Sequence, residues 1–488
     1  MTIAVLAALS STTFAVGLPT DYSQTQTLSG NYEIAEDITI SKQGYLPKIL
    51  FQTSEDGAHI SLTGDTSIKL IDGGDSRGGA LFVNNTDKKL TFDGIGKALS
   101  IAQEGNSSGT REGSFISGKN IDWNNLSSLS ISTNISNQRN SSQDGFLSAL
   151  FLTGSSSINL APDSAEPSVN INVKSSGEAR RLYGVALNGG QLTVSNADQV
   201  NISLELNRHS DNGGRVNSSA GIAFVSDKTQ SSEPQGSAES SLFDVGEATL
   251  NITVTRASGS EPLAGIAYEN FTSSTPLKDA TVKAKELVVN VTDNTPNGAY
   301  GGANGLYINN QKTVSPTITI DAETATFNVY TEDWHAKGLS SYGFYGKATN
   351  VIFTGDTTFN VTSNSSRKDI YAKGIDMLGL KKGSTLTFQK DVKIVAKGMA
   401  SAQGVYLPNQ SEIIFGGNTS ITAQALEGAN PEGTVLAIKN NGGGTIRMGV
   451  DAEGQLNGKT VEINGDIQNE ESSLTIGLSG SESTMTSQ

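Results

Sequence analysis

A unit of about thirty-five residues recurs along this 488-residue chain, and it narrows the possible folds more than any other feature. Residues 402–407 (Ala-Gln-Gly-Val-Tyr-Leu) are followed by 411–415 (Ser-Glu-Ile-Ile-Phe) and 418–423 (Asn-Thr-Ser-Ile-Thr-Ala). One unit earlier the same order runs through 372–377, 384–388 and 391–395. Before that come Tyr342-Gly343-Phe344, then 351–353 and 356–361. Far upstream stand Tyr183-Gly184-Val185, then 191–194 and 200–204. The glycines that open successive units are Gly44, Gly79, Gly113, Gly145, Gly184, Gly221, Gly265, Gly305, Gly343, Gly374, Gly404 and Gly433, at intervals of 29 to 44 residues.

Each unit carries three β-type segments of three to six residues, rich in Val, Ile, Thr and Phe, alternating with period two. Asn, Gly, Ser and Asp fill the gaps and supply turn conformations. No stretch shows a sustained helical apolar period with caps. Three strands and three turns per unit predict an all-β fold. Its form is a right-handed parallel β-helix, a pectin-lyase-like solenoid with three strands per coil and about a dozen coils. Apolar side chains point inward and polar ones outward, with about 4.8 Å between coils. A β-propeller repeats at similar length but needs four strands per blade. The longest units predict loops over roughly 200–345, and compact coils are expected over 346–465. Insertions are expected at 226–241, 269–279, 207–219 and 330–341.

Composition narrows function. The chain has 34 basic and 49 acidic residues, a net charge of −15. That argues against nucleic acid and anionic membranes as partners, because both need clustered Lys and Arg. There is no Cys, which excludes disulfides, thiolate metal sites and Cys nucleophiles. Only His59, His209 and His335 are available for imidazole chemistry. Residues 3–16 form an apolar segment of signal-peptide length, with Thr13 and Ala15 at a plausible cleavage site, although no basic residue precedes them. Residues 1–15 are therefore read as a signal-peptide remnant and 16–488 as the β-helix; a buried first strand is the other reading of the apolar segment. No stretch is long enough for a transmembrane helix.

The repeated Gly404-Val405-Tyr406-Leu407, the segment 413–421, and the ending 463–467 with 474–481 resemble the passenger domain of a Gram-negative autotransporter (type V secretion). The resemblance covers nearly the whole chain. It implies a β-helix displayed on the outer membrane or released outside the cell, and absent Cys fits passage of an unfolded chain through a pore. Such proteins normally end in a translocator β-barrel. The chain stops at Gln488 without one, so a cut passenger, or one without its own translocator, is expected. Residues 78–85 (Gly-Gly-Ala-Leu-Phe-Val-Asn-Asn) resemble the short motifs of chlamydial polymorphic outer-membrane proteins, themselves autotransporters.

Several motifs fall short of a chemistry. Gly74-Asp75-Ser76 resembles a serine-protease nucleophile segment, but only His59 precedes it and Arg77 replaces a glycine. The same tripeptide resembles that of lipases with a Gly-Asp-Ser-Leu signature. Their Asp-x-x-His partner is missed here, because Glu332-Asp333-Trp334-His335 has the wrong spacing. Trp334 reads as a loop packing residue and His335 as a solvated imidazole, with recognition as the other reading. Asp451-Ala452-Glu453-Gly454 is too short for a calcium loop. The sequons at Asn201, Asn251, Asn290 and Asn360 arise from composition, and several lie within strands. Lys381-Lys382 and Arg180-Arg181 read as solvated turn charges. No catalytic, cofactor-binding or metal residue is assigned, and no cofactor is expected.

The expected function is a non-catalytic adhesion and interaction scaffold. Its expected partners are host glycans, host surface proteins or neighbouring copies, together with an outer-membrane translocator. The alternative is a β-helical carbohydrate-active enzyme, a lyase or hydrolase. A trimeric tailspike-like β-helix is a third reading.

Overall fold

The computed structural model describes residues 16–42, 47, 49–72, 80–105, 114–135, 146–179, 181–209, 218–226, 239–259, 262–270, 276–296, 302–312, 314–342, 346–430, 432–451 and 453–477. Among them are thirty-five strands and no helix. Strands pair in parallel with their counterparts one unit along. Gln199–His209 joins Ser168–Ala179 on one side and Thr249–Gly259 on the other, with Ile171, Ile202 and Ile252 in one row. All-β and parallel, the architecture is consistent with a β-solenoid. The signal-peptide segment 1–15 lies outside the described residues.

Three ladders run the length of the stack. The first holds the glycine strands, among them Leu182–Leu187, Ser219–Val225, Leu263–Asn270, Ala303–Asn310, Ala336–Tyr342, Tyr371–Asp376, Ser401–Leu407 and Val435–Asn440. The second includes Asn350–Phe353, Thr385–Phe388, Glu412–Phe415 and Thr445–Met448. The third includes Ser168–Ala179, Asp356–Ser363, Val392–Gly398 and Thr419–Ala425. Strand lengths depart from the three to six residues expected, running from 3 to 16. Those of 14 to 16 residues round a corner and serve two ladders. Ala280–Asp293 meets Ser241–Asp244 in the second ladder and Thr249–Gly259 in the third.

Alternation does the sorting. In Thr249–Gly259 the side chains of Leu250, Ile252 and Val254 are buried, and those between face outward. One continuous apolar core results, reaching from Leu18 to Met448. At one corner, aromatic rings continue from unit to unit. Phe353 stacks on Phe388 at 4.9 Å, and Phe388 on Phe415 at 5.2 Å. Outside the third ladder, asparagines form hydrogen-bonded tracks. Asn251 donates to Asn201 and Asn201 to Asn170; a second track runs from Asn360 through Asn328 to Asn290. All four predicted sequon asparagines stand in these tracks, inside strands, with their side chains engaged.

The glycines have a steric cause. Gly184, Gly221, Gly265, Gly305, Gly338, Gly374 and Gly404 are stacked one over the next. At each, an added Cβ would meet both the next unit's backbone carbonyl and an apolar side chain from across the core, such as Ile252 at Gly221. The ladder also skips this residue: Tyr183 pairs with Ala220 and Val185 with Ile222, leaving Gly184 and Gly221 as an irregularity in the pleat.

The structure corrects the repeat marks in several units. Gly338, within Ala336–Tyr342, takes the stacked position expected of Gly343, so 336–341 is strand rather than insertion. In the next-to-last unit Ala437 takes it, and Gly433 precedes the strand. Ala149 occupies the equivalent place upstream, paired around by Ser148 and Leu150. Gly44, Gly79, Gly113, Gly145 and Gly343 lie outside the described residues.

Candidate functional site on the outer face of the glycine ladder

The glycine ladder differs from the other two in being buried on both faces over much of its length. Leu182–Leu187, Ser219–Val225, Leu263–Asn270 and Ala303–Asn310 are buried throughout. A second apolar cluster lies on its outer side, made of Phe146, Phe151, Tyr183, Tyr307, Val225 and a set of alanines. The alanines, Ala186, Ala220, Ala223, Ala264 and Ala267, leave room for long side chains to lie across neighbouring units.

Arg181 and Tyr183 use that room. The Arg181 guanidinium pairs with Glu269 at 2.9 Å, and its Nε donates to the Tyr183 hydroxyl at 3.1 Å. Tyr183 donates in turn to Glu269 Oε2 at 2.6 Å, and Ser218 donates its backbone N–H and hydroxyl to Oε1 at 2.7 and 2.8 Å. The Arg181 and Glu269 side chains are 3% and 0% exposed. Burial, foremost, drives the Tyr183 hydroxyl pKa well above its ordinary value. Arg181 is therefore no solvated turn charge, which corrects the sequence expectation; Arg180 lies outside the described residues. Lys381 and Lys382 do sit in a turn, partly or fully exposed.

Nearer the C-terminus the same outer face becomes polar and half-open. Asp376 accepts from Lys337 at 2.9 Å and Lys373 at 3.1 Å. The Lys373 ammonium lies 4.2 Å from the centre of the Tyr406 ring and 5.2 Å from that of Tyr371. Lys439 approaches the other side of Tyr406 at 5.7 Å. Burial works to raise the Asp376 pKa, but the two lysines outweigh it and hold the carboxyl below the usual carboxylate range. Burial lowers the Lys373 pKa, and Asp376 opposes the shift.

Trp334 and His335 border this patch. The Arg367 guanidinium lies 4.9 Å from the Trp334 ring centre, and His335 stacks on Tyr371 with a 10° tilt. His335 Nδ1 accepts from the Tyr371 backbone N–H at 3.1 Å. The imidazole is thus packed rather than solvated, a second correction. Its pKa falls to about 3, first through burial and then through Lys337 and Lys373. The unfolded chain takes up this proton below about pH 6.5, but the folded chain takes it up only near pH 3. The unfolded state binds more protons between those values, so stability falls as pH drops through that window. Replacing His335→Gln should flatten the acid-side decline by roughly 1–3 kcal/mol, read as the difference between denaturant unfolding curves of the two chains from neutral pH downward. Parallel pH profiles would contradict this role.

Among the described residues the remaining motifs gather no chemistry. Asp75 and Ser76 lie outside the described residues, and His59 sits within Ile49–Leu62 in register with Thr91. Asp451 accepts from the N–H groups of Glu453 and Gln455, closing a short turn. An open hollow at another corner is lined by Asp356, Asp391, Asn418, Thr460 and Glu462. Its Asp391 carboxylate is held by the N–H and side-chain amide of Asn418 at 2.8 and 2.9 Å, a turn contact repeated between units. Among the described residues no group of three His, Asp or Glu is arranged to hold a metal ion. Comparisons with protein-family models, with curated proteins and with solved structures find no match.

Proposed function

We propose that the chain is a right-handed parallel β-helix with three strands per coil, the passenger of an autotransporter-type secretion system. On this reading it is exported, displayed on the cell surface or released, and acts as a non-catalytic adhesion and interaction scaffold. The supporting observation is the ladder geometry. Side chains at one lateral position recur in successive units, so single residues become rows on a long outer face, as in the asparagine tracks and the lysine–tyrosine patch. A surface of fixed, evenly spaced groups suits extended or repetitive partners.

The test is direct adhesion. Beads coated with the purified chain should bind host-cell monolayers several-fold more than beads coated with an unrelated acidic protein. Equal binding would overturn the scaffold reading.

A second reading, a carbohydrate-active enzyme, draws on one observation. Lys373 is a desolvated amine with lowered pKa beside Tyr371 and Tyr406, and basic groups of this kind abstract protons in polysaccharide lyases. Against it, Asp376 already neutralises that amine, and the patch is a face rather than a cleft.

A further inference from the structure

The net charge of the chain is −15, yet on the outer face of the glycine ladder two ammonium groups share one carboxylate and a third lies beside Tyr406. Lys337 and Lys373 are register partners in one outward row, and Asp376, Tyr406 and Lys439 follow one another in a second. Asp376 is shared by Lys337 and Lys373, while Lys439 has no carboxylate within ion-pair distance among the described residues. At about 4.8 Å per unit, the patch from Lys337 to Lys439 is roughly 15 Å long. Within it Tyr406 carries a lysine on each side, and both Tyr371 and Tyr406 are only partly buried.

We propose that this patch binds an acidic polysaccharide, a chain carrying sulfate or carboxylate groups, laid along the stacking direction; the inference rests on the scaffold reading above. Three features select that partner. Lys439 and the part-exposed Lys337 supply charge-assisted hydrogen bonds to anionic substituents, with Lys373 held beneath them by Asp376. Lysines and His335 cover the faces of the tyrosine rings, so the part-exposed ring edges and hydroxyls are what they offer to a sugar, as amphipathic aromatics do at recognition surfaces. The ladder is paired on both sides here, so a peptide finds no free strand edge to extend, which removes the main-chain mode of peptide capture. An acidic peptide would have to rely on charge alone.

The experiment measures binding of the full chain to heparin, with neutral dextran and polyglutamate as comparison probes. Heparin should bind and weaken as salt rises, while dextran does not bind and polyglutamate binds at least about tenfold more weakly. Lys439→Ala and Tyr406→Ala should each weaken heparin binding about tenfold, the worth of one charge-assisted hydrogen bond or one ring contact, with melting temperature held within a few degrees. Equal binding of polyglutamate would mean that charge alone is recognised and would overturn the glycan assignment. Unchanged heparin affinity in both variants would overturn the location. Adhesion of coated beads to cells with no affinity for heparin would overturn this inference and leave the scaffold reading intact. Heparin binding without cell adhesion would do the reverse. Shortening of the bound polysaccharide would uphold the site and replace the scaffold by the enzyme.

Discussion

Replacing Glu269→Ala should destabilise the chain by roughly 3–5 kcal/mol, the largest loss expected from a single side chain outside the apolar core. Its carboxylate is fully buried and accepts from Arg181, Tyr183 and both donors of Ser218. Truncation takes the ion-pair partner from a guanidinium that is itself buried, and leaves the Ser218 N–H without this acceptor. The penalty comes chiefly from removing a counter-charge beside a buried guanidinium rather than from the lost bonds. The double replacement Arg181→Met with Glu269→Leu should therefore recover much of the loss, since the buried guanidinium is removed together with its counter-charge. Denaturant midpoints of the three chains check this. A single-variant loss below about 1 kcal/mol, the scale of an exposed ion pair, would show that the cluster is not desolvated in solution.

The second large effect is expected at the stacked glycines. A Cβ at Gly265 would overlap Val289 Cγ1 and lie 3.0 Å from the Gly305 carbonyl oxygen. Val289 is β-branched and fully buried, and the carbonyl belongs to the ladder, so neither can move aside cheaply. Gly265→Ala should cost roughly 2–3 kcal/mol and Gly265→Val more. Gly64 serves as the comparison. A Cβ there meets only the Ala35 carbonyl oxygen at an ordinary 3.6 Å, so Gly64→Ala should be near neutral. Thermal melting of the two alanine variants separates the cases, and equal melting temperatures would sink the steric account.

Much of the architecture was legible because a ladder forces the same pattern on every unit. Alternation in 249–259 and the Phe353, Phe388, Phe415 series report which side faces the core before any coordinate is known. The misplaced mark at Gly343 shows the limit. Tyr342-Gly343-Phe344 mimics Tyr183-Gly184-Val185, while Ala336-Lys337-Gly338-Leu339 matches Ala372-Lys373-Gly374-Ile375 and was the better guide. Local spelling could not choose between them; the overlap that a Cβ at Gly338 would have with Phe359 and the Gly374 carbonyl does. The lysine–tyrosine patch was hidden for another reason. Lys337, Lys373 and Lys439 are scattered single charges in sequence and become neighbours only when units stack in register. Arg181 was misread because its buried partner Glu269 stands 88 residues further along, outside any window around Arg181.

The pairing pattern also has a mechanical consequence. Among the described residues each strand ladder joins residues in adjoining units, over separations such as 25 residues from Gln26 to Phe51 and 51 from Gln191 to Leu242. Tension on the two ends of such a chain is borne by the outermost unit alone, because the units behind it hold to one another. The molecule then yields by peeling, one unit at a time. Each release pays out roughly 100 Å for the short unit from Gly374 to Gly404 and roughly 150 Å for the long one from Gly221 to Gly265. A tether built this way lengthens in unequal steps under load and keeps its remaining units intact.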